Sequence, residues 1–97
     1  MEYAIYHVNQ ERWNDMAFRD YASLVKEFGK IRREDYECVY AFRSKKELSL
    51  DDIYYIFNMA FPKDYRAHSM SVSDVVEMPD GFYFCDSFGW QKLDWEV

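Results

Sequence analysis

The sequence contains few of the residues that form loops and cross-links: of its 97 residues, three are glycine, two are proline and two are cysteine. So few loop formers predict that most of the chain lies in helices and strands. The cysteines stand apart in YECVYAF and FYFCDSF without a Cys-x-x-Cys pair, which excludes a disulfide framework and a cysteine zinc site. No GxGxxG or P-loop motif occurs, and we expect no cofactor.

Long apolar runs are missing as well. No stretch reaches the roughly 18 residues that a membrane span needs. The N-terminal segment MEYAIYHVNQ lacks the basic and apolar regions of a secretory signal. We therefore expect a cytoplasmic protein that does not associate with membranes. The length fits a single domain, which we expect to span residues 1–97.

Aromatic side chains, in contrast, are abundant, at 21% of all residues. This content predicts a folded domain rather than a disordered one. Eight Phe, nine Tyr and three Trp exceed what one small core can hide, so some rings are expected at the surface, where Tyr and Trp commonly anchor protein interfaces. The alternative is that half-buried tyrosines simply reach water with their hydroxyl groups. The candidates for exposed rings are Trp13, Tyr54, Tyr55, Trp90 and Trp95.

The net charge of −6 is distributed unevenly, with +1 in residues 1–46 and −7 in residues 47–97. An acidic protein of this kind is unsuited to general nucleic-acid binding through a basic surface. The acidic C-terminal part predicts a face that binds a basic protein partner, although surface acids also serve solubility alone. Its members are Asp74, Glu77, Asp80, Asp86, Asp94 and Glu96.

The first half of the chain predicts a strand, a helix and a second strand. EYAIYHV at 2–8 would place mainly apolar residues on both faces of a strand. YECVYAF at 36–42 is rich in aromatic and β-branched residues and predicts a second strand. Between them an amphipathic helix is expected, with Asn14 or Asp15 as N-cap and Gly29 at its end. Its core stripe would comprise Phe18, Tyr21, Ala22, Val25 and Phe28.

The second half predicts one helix followed by three strands. Ser49 and Asp52 have the spacing of a capping box, and Pro62 ends the helix that they open. Residues 69–78 alternate and change phase at Asp74, which indicates a bulge or a bend. Pro79-Asp80-Gly81 predicts a hairpin turn, the strand FYFCDSF follows it, and WQKLDW adds a last strand. The order β-α-β-α-β-β-β predicts an α+β fold, with a small mixed or antiparallel sheet and two helices packed on one face.

Three stretches in register resemble the YodL-like domain family: LDDIYYIFN at 50–58, AHSMSVSDVV at 67–76 and FYFCDSFGW at 82–90. The resemblance spans roughly residues 36–93 and, more loosely, the first strand AIYHV, with Ala67 where the family often has Gly and Trp90 where it often has Phe. It implies an accessory domain of conjugative transposons and related mobile elements of Firmicutes, often fused to larger proteins. It implies no catalytic residue and no cofactor.

Polar residues that could carry chemistry gather near His68. Either Cys85/His68/Asp86 or Ser69/His68/Asp74 would supply a nucleophile, a base and an orienting carboxylate. The simpler interpretation is a polar strand face whose carboxylates bind loop amides. A metal site is not expected, because His7 and His68 are 61 positions apart and no His-x-His or His-x-x-x-His pair occurs. The alternative metal site would be a divalent ion held by the carboxylates of Asp74, Asp80 and Asp86 around the predicted hairpin.

These observations favour a non-enzymatic interaction module of a mobile element, directed at a protein partner. A more specific version of this hypothesis is an antagonist of host defence or of nucleic-acid-handling machinery. One alternative is a small hydrolase-like enzyme that uses Cys85 or a serine near His68. Another is weak nucleic-acid binding by the basic connector 30–46. The sequence leaves the oligomeric state open. The expected interaction residues are Trp90, Trp95, Asp74, Glu77, Asp80, Asp86, Tyr54 and Tyr55.

Overall fold

The computed structural model describes residues 1–96 and contains one five-stranded antiparallel sheet with three α-helices. The strands run in the order β2-β1-β3-β4-β5 across the sheet. This architecture confirms the α+β prediction and the antiparallel alternative for the sheet. The elements are β1 Glu2–Val8, α1 Trp13–Met16, α2 Tyr21–Phe28, β2 Tyr36–Arg43, α3 Leu50–Met59, β3 Val75–Met78, β4 Gly81–Cys85 and β5 Trp90–Leu93, with short 3-10 turns at Gln10–Arg12 and Arg33–Asp35.

The helices cover opposite faces of the sheet, so the expectation that both pack on one face is wrong. Along β1, Tyr3 and Ile5 pack in one apolar cluster with Phe57 of α3. Tyr6 and the other alternate residues of β1 pack in a second cluster with Leu24 of α2. Because successive side chains of a strand point to opposite faces, the sheet is the middle of three layers. Burial of both faces explains why β1 is apolar on both sides.

The first predicted helix is divided into α1 and α2. Phe18, expected in the core stripe, has a positive φ of 66° and is 61% exposed, since the chain turns between the two helices. The N-cap of α2 is Asp20, whose carboxylate accepts a hydrogen bond from the amide of Ser23, rather than Asn14 or Asp15. The predicted end at Gly29 is confirmed: this residue has φ 87°, where glycine carries no steric penalty.

The local predictions for the second half are largely confirmed. Ser49 and Asp52 form a complete capping box at the start of α3, with hydrogen bonds of 2.9 and 3.0 Å. Pro79 and Asp80 make the two-residue turn between β3 and β4. Residues 69–74, however, are not a strand, because the backbone turns at Ser73, which has φ 87°. The phase change at Asp74 therefore marks the start of β3.

A β-bulge in β2 supplies aromatic rings to both layers. Ile5 pairs with Tyr40, whereas the next residue, Tyr6, pairs with Cys38, so Val39 has no partner across the strand pair. Tyr36, before the bulge, packs with the α2 layer, and Tyr40, after it, packs with the α3 layer. Without the extra residue, Tyr36 and Tyr40 would face the same side of the sheet, because they are four positions apart.

None of the helices among residues 1–96 has both the length and the apolar character to cross a bilayer.

Candidate functional site

Three polar residues from distant parts of the chain meet at one end of β1. β1 and β3 are antiparallel and pair Tyr6 with Val75, so this register brings His7 beside Asp74. His68 reaches the same place from the loop that follows α3. His7 and Asp74 are 3% and 1% exposed, whereas His68 is partly exposed. We call these three residues the His–His–Asp cluster.

The three side chains are in direct contact. The imidazole rings of His7 and His68 stack with their centroids 3.6 Å apart and their planes 14° from parallel. His7 Nε2 lies 3.5 Å from Asp74 Oδ2, and His68 Nε2 lies 4.0 Å from Asp74 Oδ1. The hydroxyl group of Tyr65 lies 3.4 Å from His7 Nε2 and donates a hydrogen bond to the carbonyl of His68 at 2.7 Å.

A hydrogen bond shows which ring nitrogen of His68 carries a proton. Its Nδ1 lies 2.6 Å from the carbonyl oxygen of Ser69, and a carbonyl can only accept, so Nδ1 carries the proton. In a neutral imidazole, Nε2 then presents a lone pair. This Nε2 is buried, has no hydrogen-bond partner among residues 1–96, and is directed toward the carboxyl group of Asp74. Two acceptors therefore face each other unless a proton or a cation lies between them.

Burial controls the charges in the cluster. It raises the pKa of Asp74 well above the usual value, against the lowering effect of the Ser71 amide, which donates to Oδ2 at 2.8 Å. Burial, together with the neighbouring His68, lowers the pKa of His7 to about 3. His7 is therefore neutral at physiological pH. The desolvated carboxyl group is the more favourable place for a proton than the buried imidazole.

The backbone around Asp74 is fixed by contacts from both directions. The Tyr36 hydroxyl group, buried beneath the sheet, donates to the carbonyl of Ser73 at 2.7 Å. The amide of Cys85 donates to the carbonyl of Asp74 at 2.7 Å, and the amide of Ser73 donates to the carbonyl of Cys85. These bonds hold the carboxyl group of Asp74 in the interior, directly before the first residue of β3.

A cleft of about 530 Å³ borders the cluster on the side of the two histidines. The indole of Trp13 forms one wall, with its ring centroid 5.0 Å from that of His68. The cleft gives a small molecule or an ion a path to both imidazoles. Its lining residues are His7, Val8, Gln10, Trp13, Asn14, Glu37, Val39, Ala67 and His68.

The predicted catalytic arrangements do not form as such. Cys85 is buried, and burial raises the pKa of its thiol to about 12, so the thiolate nucleophile is scarce at neutral pH. Asp86 accepts hydrogen bonds from the amides of Tyr21 and Ser87 and does not contact His68. Ser69 contacts the His68 ring through its carbonyl rather than through its hydroxyl group. The carboxylates thus bind loop amides, as the simpler interpretation predicts.

Separation in the sequence does not keep the two histidines apart, because residues 61 positions apart are in ring contact in the fold. His7, His68 and Asp74 each offer one ligand atom, and these atoms lie within 4.8 Å of one another. The alternative carboxylate site fails: Asp80 occupies the β3–β4 turn and Asp86 follows the far end of β4, on the order of 15 Å away. Sequence reasoning missed His7 as a site residue, and only the β1–β3 pairing identifies it.

The structure does not bring the predicted acidic residues to one face. Asp74 is in the interior, and Glu77 accepts a hydrogen bond from Tyr6 on the α2 side. Asp80 contacts Tyr83 and Lys92 at the hairpin turn. Trp95 is half-buried against the α2 layer, and its indole donates to the carbonyl of Ile31. Asp74 and Trp95 are therefore engaged within the fold, whereas Asp80 remains exposed at the turn.

The basic connector does not form one surface either. Arg33 stacks over the rings of Tyr6 and Phe82, and Arg43 pairs with Glu2. The eight residues of β2 separate the basic groups at 30–33 from those at 43–46 by about 24 Å. The six cations do not converge on a groove for a single strand.

Exposed rings do occur on α3 and on the loop between β4 and β5. Tyr55 and Met59, one turn apart, are 61% and 72% exposed, and Phe88 is 93% exposed. Tyr54 is exposed and its ring meets that of the half-buried Trp90 edge-to-face at 6.5 Å. The aromatic surface comprises Tyr54, Tyr55, Met59, Phe88 and Trp90. Sequence reasoning missed Met59 and Phe88, although a phenylalanine between Ser87 and Gly89 is a signal of an exposed turn.

A recess of about 240 Å³ joins the two parts of the aromatic surface. Tyr54 and Trp90 line it together with two carboxylates, Asp51 and Asp86. Trp13, by contrast, contributes to the cleft beside the His–His–Asp cluster rather than to this surface.

Comparisons with known proteins give one finding. A search of curated proteins and a search of solved structures each produced no match. The family model described as YodL-like domain matches residues 2–95, which confirms the looser resemblance of β1 and extends the match over α1 and α2. The chain therefore belongs to the YodL-like domain family.

Proposed function

We propose that this domain is a non-enzymatic interaction module that binds a protein through the aromatic surface. The observation that carries the proposal is the concentration of large exposed side chains on α3 and the β4–β5 loop, with Phe88 93% exposed. The contact of Tyr54 with Trp90 joins α3 to the segment that follows this loop, and exposed apolar side chains in such a region are typical of binding sites. Tyr and Trp are also the side chains most often found as anchors of protein interfaces.

The charges around the aromatic surface favour a partner with basic side chains among apolar ones. Asp51 and Asp86 line the recess between Tyr54 and Trp90. An arginine of the partner could stack on one of these rings and pair with a carboxylate in the same position. This proposal retains Tyr54, Tyr55, Trp90 and Asp86 from the sequence-based set and dispenses with Asp74, Glu77, Asp80 and Trp95.

For the biological setting we propose a mobile genetic element of Firmicutes, on the resemblance of residues 50–58, 67–76 and 82–90. A partner from the host's defence or nucleic-acid-handling machinery would suit such an element. Imitation of DNA by a row of carboxylates is not part of the proposal, because the acids lie on different sides of the sheet.

The test compares proteins captured from lysate by the tagged domain and by two variants. Tyr55→Ser combined with Phe88→Ser removes the two most exposed rings of the aromatic surface, and Phe18→Ser is the matched control, because Phe18 is 61% exposed outside that surface. We expect a partner that the wild type and the control retain and the double variant loses. Since an interface anchor contributes about 2 kcal/mol, the purified partner should bind the double variant at least roughly 30-fold more weakly.

The proposal fails if the double variant captures the same proteins as the wild type, or if the loss occurs equally with Phe18→Ser. High salt should weaken the complex, since Asp51 and Asp86 contribute charge. Nuclease treatment should leave it unchanged. A complex that nuclease abolishes would instead support nucleic-acid binding.

A further inference from the structure

We propose that the His–His–Asp cluster is a binding site for a divalent transition-metal ion of the zinc type, with His7 Nε2, His68 Nε2 and the carboxylate of Asp74 as ligands. This site is separate from the aromatic surface, and the inference does not depend on the proposed protein partner. Imidazole nitrogen and carboxylate oxygen are both common ligands of zinc.

The spacing of the ligand atoms is close to that of a tetrahedral site. Zinc binds histidine nitrogen and carboxylate oxygen at about 2.0–2.2 Å, so adjacent ligand atoms of a tetrahedron lie roughly 3.3 Å apart. His7 Nε2 and Asp74 Oδ2 are already 3.5 Å apart. His68 Nε2 lies 4.0 Å from the other carboxylate oxygen, Asp74 Oδ1, and one ligand atom from each of the three residues lies within 4.8 Å of the others, so His68 has to approach by up to about 1.5 Å.

His68 is the ligand that has room to move. It lies on the loop after α3 and is partly exposed, whereas His7 and Asp74 are fixed in the interior. The two imidazoles are stacked, so the His68 ring has to rotate until both lone pairs point at the ion. The cleft beside the two histidines provides the path by which the ion enters.

The hydrogen bonds around the cluster match those of metal ligands. A histidine that binds a metal usually donates its other ring N–H to a carbonyl or a carboxylate, which fixes the tautomer. His68 has this arrangement, with Nδ1 donating to the Ser69 carbonyl at 2.6 Å. Asp74 is likewise held by the amide of Ser71. The free Nε2 of His68 is thereby presented to the carboxyl group as a lone pair.

A cation would resolve the electrostatic conflict in the cluster. The lone pair of His68 Nε2 is directed toward Asp74, and that atom is buried without a hydrogen-bond partner within residues 1–96. An unsatisfied buried acceptor is costly, and two that face each other are more so. A bound metal ion would pair with both and with His7. The competing explanation is a proton on Asp74, and the experiment separates the two.

The test titrates Zn²⁺ into the untagged, chelator-treated domain and follows binding by calorimetry. We expect one ion per chain. His68→Ala is the main variant, because this partly exposed side chain is not part of the core. Loss of a direct ligand should weaken binding by more than the roughly 10–100-fold that loss of an outer partner costs. Cobalt(II) should give the visible absorption of a tetrahedral site in the wild type and not in this variant.

Two control variants address other sources of zinc affinity. Cys38→Ser removes the exposed thiol, and Glu37→Gln changes a carboxylate of the same cleft outside the cluster. Both should bind zinc as the wild type does, and circular dichroism should show that all variants are folded. The proposal is overturned if the wild type does not bind zinc, or if His68→Ala binds it with unchanged affinity. Either outcome would assign the cluster to a proton on Asp74.

Discussion

The buried histidine of β1 should make the metal-free domain sensitive to mild acid. Burial and the adjacent His68 lower the pKa of His7 to about 3 in the folded protein, against about 6.5 in the unfolded chain. Below pH 6.5 the unfolded chain therefore gains a proton that the folded protein does not accept. Stability falls as the pH decreases from 6.5 toward 3.

The size of the effect follows from the difference between the two pKa values. One proton taken up only by the unfolded chain changes the free energy of unfolding by up to about 1.4 kcal/mol per pH unit. His7 should thus cost about 1 kcal/mol at pH 5.5 and about 3 kcal/mol at pH 4.5. Asp74 acts in the opposite sense, because its raised pKa makes the folded protein the better proton acceptor as the pH falls.

The assay measures urea unfolding of the wild type and of His7→Gln at pH 7.5, 6.5, 5.5 and 4.5, with chelator present. The variant carries no titratable group at position 7, and Asp74 is common to both proteins. The difference between the two free energies of unfolding at pH 7.5 gives the cost of the substitution itself. We expect the wild type to lose about 3 kcal/mol relative to the variant by pH 4.5.

A difference that stays constant across this range would refute the reasoning, since it would mean that His7 takes up a proton equally well in the folded and the unfolded states. If His7→Gln does not fold, His7→Phe serves as the second variant, because it keeps an aromatic ring next to His68 and Tyr65. The other ionisable groups that face His7 are His68, Tyr65 and Glu37, its cross-strand partner on β2, and all three are likewise present in all these proteins.

Three further predictions concern the core, the loop before β3 and the cysteines. Phe57→Ala should cost about 3–5 kcal/mol in urea unfolding, because this fully buried ring is the centre of the α3 layer. Tyr36→Phe should cost about 1–3 kcal/mol, since it leaves the buried carbonyl of Ser73 without its donor. In the native protein a thiol reagent should modify Cys38 rapidly and Cys85 only after unfolding, as mass spectrometry of the labelled peptides would show.

Each of these has an outcome that contradicts it. A cost below about 1 kcal/mol at Phe57 would show that the α3 layer collapses around the missing ring. An unchanged free energy of unfolding in Tyr36→Phe would mean that water replaces the hydroxyl group. Equal labelling rates for the two cysteines would place Cys85 at the surface.

Local signals in the sequence predicted the local structure well. The alternation of residues 2–8 predicted the bounds of β1 correctly. Ser49 and Asp52 likewise predicted the start of α3. These features depend on hydrogen bonds and burial within a few residues, so a short segment contains the information. The predicted core stripe was wrong at Phe18, because the chain turns there. Asp20, rather than Asn14, is the N-cap of α2.

The arrangement of the layers and of the site was harder to predict. The apolar character of both faces of β1 was visible, and it requires cover on both sides, yet the order of elements alone does not say which helix covers which face. The His–His–Asp cluster depends on the register of β1 against β3, which sequence spacing does not reveal. Long-range pairing, rather than local propensity, creates this site.

The position of β1 inside the sheet has a consequence for how the protein is made. Tyr6 of β1 and its partner Val75 of β3 are 69 positions apart. A ribosome therefore has to synthesise most of the domain before the edge of β1 that faces β3 can pair. The antiparallel pair of β1 and β2 can assemble earlier together with α2, because these elements lie within the first 43 residues. Until β3 emerges, the nascent chain presents an unpaired apolar strand, the kind of edge that chaperones recognise and that aggregates form upon. Cellular yield should therefore depend on the speed with which residues 75–93 follow.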